Sequence, residues 1–99
     1  MKLVRDYIPD IIHASNRDCN YYRVTSPDQL TAFLKDKMVE ELNEFIEDPC
    51  PEEAGDMLEV FLSLLKLKGV SFEDVEQSAR KKKMQKGGFD EGFILTDIY

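Results

Sequence analysis

Two pairs of carboxylates, Glu41/Glu44 and Glu53/Asp56, flank the break Asp48-Pro49-Cys50-Pro51, and their phase on the helices either side of it constrains this chain more than any other feature. Residues three apart share one face of an α-helix, so each pair aims two acids at a single place. Two such helices facing one another across the break present four.

Helical geometry says whether those acids are wet or inside. At about 100° per residue, Leu34, Phe45 and Met38 fall within about 60° of Glu41, and Leu64, Met57 and Val60 within about 40° of Glu53. Both glutamates therefore lie within apolar stripes. Glu44 and Asp56 come at the edges of the same stripes, about 60° away, whereas Glu40, Glu47 and Glu59 fall on the solvated side. Burying one unpaired carboxylate costs several kcal/mol, and burying four together requires positive charge between them. A divalent metal ion is the simplest source. Carboxylate oxygens suit Mg2+, a hard cation that keeps waters and bridges to phosphates, with Mn2+ as a substitute.

Ninety-nine residues make one domain, residues 1–99, with a modest core of its own. The second of the two helices is apolar over half its circumference or more, because Leu58, Leu62 and Leu65 lie away from the Glu53 stripe. A homodimer or higher homo-oligomer is therefore expected, with part of that helix at the interface. The net charge of −7 argues against a nucleic-acid polymer as partner, since phosphate-backbone affinity comes from Lys and Arg. The positive charge gathers instead at Arg80, Lys81, Lys82, Lys83 and Lys86, a cluster suited to a small polyanion or to a solvated helix end. Cys19 and Cys50 have no metal-binding spacing, the opening MKLVRDYIPD carries no apolar signal region, and no run is long enough to cross a membrane. The expected setting is cytoplasmic, with free thiols.

Taken in order, Met1 to Val4 is an extended lead-in to a short helix through Ile8, Ile11, Ile12 and Ala14, with Pro9 in its first turn and His13 near its end in a surface role. Tyr21 to Thr25 has the residues of a short strand. Ser26-Pro27-Asp28 starts a helix running to about Glu47. The next runs from about Glu52 to Lys68 and ends at Gly69. Ser71, with Asp74 three residues on, starts the last, which stops at Gly87-Gly88. Phe93 to Tyr99 reads as a strand able to pair with Tyr21 to Thr25 in a two-stranded ribbon. The fold class is all-α, with that ribbon added.

E-x-x-E on one helix followed by E-x-x-D on the next resembles the metal signature of the all-α nucleoside triphosphate pyrophosphohydrolases, which include MazG-type enzymes, phosphoribosyl-ATP pyrophosphohydrolase and the dimeric dUTPases. The opening KLVRDYIP (Lys2 to Pro9) and the later KMQKGGF (Lys83 to Phe89) are similar to the ends of small MazG-like proteins, so the resemblance spans nearly the whole chain. It implies a small helical bundle completed by oligomerisation and Mg2+-dependent hydrolysis of a nucleotide substrate, a nucleoside triphosphate, between its α and β phosphates. It implies Glu41, Glu44, Glu53 and Asp56 as metal ligands and catalytic residues, and Lys83, Lys86, Lys2 and Arg5 as the grip on the phosphate tail. Three departures stand out: only eight residues, Phe45 to Glu52, separate the acidic pairs; a lysine, Lys86, precedes the two glycines where arginine is more usual; and the chain is too small for the added helices that shape a base pocket in larger relatives. A weak or inactive relative that binds nucleotide or a protein partner is the alternative. Tyr21, Tyr22 and Phe89 are the aromatic candidates for contact with a base.

Overall fold

All regular structure in the computed structural model, which describes residues 1–99, lies in four helices: α1 (Ile8–Ala14), α2 (Pro27–Glu47), α3 (Pro51–Lys68) and α4 (Phe72–Lys86). Two compact units are present, residues 1–69 with α1 to α3 and residues 70–99 with α4.

Local chemistry sets each boundary. The Ser26 hydroxyl accepts a hydrogen bond from the Gln29 N–H at 3.3 Å, and Pro27 occupies the first turn, where its missing N–H is no loss. At the other end of α2 the Asp48 N–H still reaches the Glu44 carbonyl at 2.9 Å. Pro49 then forces Asp48 out of helical conformation, to φ −134° and ψ 78°. Pro51 opens α3 at once, with Glu52 and Glu53 in the first turn, where the helix dipole favours negative charge. So short a connector leaves α2 and α3 as an antiparallel hairpin. Gly69 closes α3 at φ +69°, a left-handed conformation that glycine takes without strain.

The hairpin packs through the two stripes. Leu34 of α2 and Val60 of α3 are its buried apolar residues, and Glu41 is buried with them. The lead-in and α1 complete the unit, contributing Leu3, Ile8 and Ile11 to a cavity of about 840 Å³ whose walls include Leu30 and Leu67.

In the second unit the Ser71 hydroxyl accepts from the Asp74 N–H at 3.3 Å, and Val75 is the one residue not exposed. The expected ribbon is absent: neither Tyr21–Thr25 nor Phe93–Tyr99 is a strand. A lone two-stranded ribbon is marginal in water, and the tyrosines have nearer partners. The Tyr22 hydroxyl points at Met1 Sδ (3.5 Å), and the Tyr21 ring lies tilted against His13 with centroids 6.3 Å apart.

Candidate metal centre

Glu41, Glu53 and Asp56 converge from α2 and α3 so that one carboxylate oxygen from each lies within 4.8 Å of the others. Helical phase brings them there: Glu41 shares the inward phase of Leu34, Glu53 that of Val60, and Asp56 lies at the edge of the Glu53 stripe. Glu41 is only 6% exposed. Glu53 and Asp56 are half-buried.

Glu44 is not a member of this trio. It is exposed one turn beyond Glu41, close enough for its like charge to bear on Glu41. Burial and then Glu44 push the Glu41 carboxyl above the usual carboxylate range, with Lys37 acting in the opposite direction.

Two cations attend the trio. Lys37 Nζ lies 3.4 Å from Glu41 Oε1 and 3.3 Å from Glu40 Oε2, which leaves Glu40 half-buried rather than on the solvated side. Desolvation acts to lower the Lys37 ammonium, but Glu40 and Glu41 outweigh it and hold it above its ordinary value. Arg5 Nη2 donates to Asp56 Oδ1 at 2.7 Å, with both side chains substantially exposed. Glu53 has no cationic partner within ion-pair distance, and Glu41 Oε2 and Glu53 Oε2 are both buried without any hydrogen-bond partner. Two buried oxygens without a donor, on carboxylates from facing helices, match the demand of a hard divalent cation for oxygen ligands. The residues present therefore fit Mg2+ or Mn2+.

Of the expected phosphate-binding residues, Arg5 is at this centre and Lys2 is exposed in the lead-in. Lys83 and Lys86 lie in the last turn of α4, exposed, in the second unit. Lys37 was absent from the sequence expectations, although the same wheel puts it about 40° from Glu41, and its spacings to Glu40 and Glu41 are ion-pair spacings on a helix. Wheel counting applied to acids alone passes over it. Arg5, Lys37, Glu41 and Asp56 all line the 840 Å³ cavity, where Tyr7, not Tyr21 or Tyr22, is the aromatic wall. Phe89 is 97% exposed in the second unit.

No protein-family model, curated protein or solved structure matches this chain. No helix is long and apolar enough to cross a membrane.

Proposed function

We propose that this chain is a MazG-like, Mg2+-dependent nucleotide pyrophosphohydrolase that cleaves a nucleoside triphosphate to its monophosphate and pyrophosphate, a nucleotide-housecleaning activity. The observation that carries the proposal is the Glu41–Glu53–Asp56 trio with its two buried, unpartnered oxygens, Glu41 being more than nine-tenths buried. The motif resemblance supplies the reaction class.

A divalent cation bound there supplies positive charge against phosphate oxygens and makes a nearby water more acidic. Glu41 and Glu53 are the residues whose inner oxygens await it, and Asp56 completes the trio. Glu44, exposed beside Glu41, is the base free to take the proton as water attacks the α phosphorus and the bond to the bridging oxygen breaks. Pyrophosphate then leaves against Lys37 and Arg5. A cavity of about 840 Å³ is of the size of small-molecule sites, and Tyr7 offers a face for a base.

The test is pyrophosphate release from a panel of standard, deoxy and modified nucleoside triphosphates, with Mg2+ and with chelator. Release from at least one triphosphate, lost with chelator, is expected. The Arg5–Asp56 pair favours a second candidate, a catalytically silent nucleotide-binding relative in which Asp56 is already neutralised. Such a protein gains stability with nucleotide and yields no product.

We propose further that the hairpin is completed by a second copy. Val39, Leu42 and Ile46 form one stripe of α2 roughly 130° from Glu41, and they are 52%, 43% and 66% exposed, with Leu58 of α3 at 47%. Light scattering is expected to give twice the chain mass, and Ile46→Glu to give the single mass.

A further inference from the structure

Arg5 makes the shortest ion pair in the molecule with an acid of the metal trio, yet it sits in the non-helical lead-in and stays largely exposed. We propose that Arg5 is an exchangeable counter-ion: Asp56 holds either the Arg5 guanidinium or the divalent cation, and the released Arg5 becomes a grip for the anionic ligand in the cavity. This rests on the metal-dependent reading above and adds to it a coupling between metal and anion.

The shared carboxylate carries the proposal: Asp56 belongs to the trio and already holds Arg5. Lys37 is divided between Glu41 and Glu40, the latter outside the trio, so Arg5 is the one cation whose ion pair is with the trio alone. Guanidinium and dication at neighbouring oxygens of one carboxylate repel, to the modest extent that solvent exposure of the pair allows.

Of the two cations, Arg5 is the one able to leave. The Lys37 side chain is 19% exposed and is pinned between Glu40 and Glu41, the first of which lies outside the trio. The Arg5 side chain is 59% exposed, holds Asp56 by one short bond, and belongs to residues 1–7, which precede the first helix. Because Arg5 also lines the cavity, a guanidinium released from Asp56 remains beside the bound ligand. There its planar fork suits a phosphate. Anion binding then draws Arg5 away from Asp56 and strengthens metal binding, and by linkage metal strengthens anion binding to the same degree.

The experiment titrates Mn2+ alone, and then inorganic pyrophosphate onto the Mn2+-loaded protein, by calorimetry on the parent, Arg5→Gln and Arg17→Gln. The last removes the same charge from the exposed irregular segment that follows α1. Arg5→Gln is expected to bind Mn2+ tighter by up to about five-fold, the worth of an exposed pair. Loaded with Mn2+, it is expected to bind pyrophosphate about ten-fold more weakly, with Arg17→Gln like the parent and Arg5→Lys between. Equal or weaker Mn2+ binding by Arg5→Gln overturns the proposal, because Arg5 then serves to orient Asp56 instead of competing for it. Unchanged pyrophosphate affinity, or no Mn2+ binding by any variant, overturns it also. None of these titrations involves turnover, so a protein that releases no pyrophosphate from triphosphates still reports on the exchange.

Discussion

Pyrophosphate release by Glu53→Gln is expected to fall to about one hundredth of the parent's rate or lower, the scale of losing one preorganised electrostatic element of an active site. Glu53 enters from the first turn of α3, and its inner oxygen is buried with no donor in the protein to meet it. Glutamine keeps the shape and removes the charge, so the carboxylate is lost with little packing disturbed. No ion pair within the protein is broken by the change, since neither Lys37 nor Arg5 is held by Glu53. Circular dichroism and the melting temperature without metal are therefore expected to match or exceed the parent's. Turnover at the parent's rate in a folded Glu53→Gln would remove Glu53 from the site.

Glu41→Gln is expected to reverse its rank in stability according to the metal present. At neutral pH and with chelator, it should be more stable than the parent by about 1 kcal/mol, since removing the charge relieves its desolvation and the repulsion from Glu44, while the amide stays as unpartnered as the oxygen it replaces. For a chain of this size each kcal/mol moves the melting temperature by about 4–8 °C. Lys37 is not orphaned by the change, because Glu40 still holds it at 3.3 Å. With Mg2+ at about a hundred times its dissociation constant, the parent gains about 2.7 kcal/mol that the variant does not, and the order inverts.

The same residue sets a pH dependence in the metal-free protein. Burial and the adjacent Glu44 raise the Glu41 carboxyl in the folded chain above its unfolded value, so the folded state binds more protons wherever the two differ. Its contribution to stability therefore falls as pH rises from the ordinary carboxylate range through the raised folded value, and recovers on acidification. Thermal melts of parent minus Glu41→Gln across that window isolate the contribution from the other acids nearby, Glu40, Glu44, Glu53 and Asp56. A difference flat with pH would mean that Glu41 is solvated, against its 6% exposure.

Much of this molecule is legible in single residues and their spacing. Ser26 with Pro27, Ser71 with Asp74, the prolines at 49 and 51 and the glycine at 69 mark the helix ends, because caps and breakers act through bonds within a few residues. The inward phase of Glu41 and Glu53 is likewise a property of each helix alone. The ribbon expected from Tyr21–Thr25 and Phe93–Tyr99 failed for the converse reason, since strand character in residues without a third partner strand commits a chain to nothing.

What the sequence by itself determined was the set of helices, the hairpin at the proline break and the two acids that must turn inward. Tertiary structure alone decided that three acids, not four, converge, that Glu53 is left without a counter-ion, and that Arg5, fifty-one positions away, closes on Asp56. The physical reason is range: capping and phase are settled within a turn or two of chain, whereas which charge meets which depends on how separate segments pack, and a few ångströms there decide between an ion pair and an open oxygen.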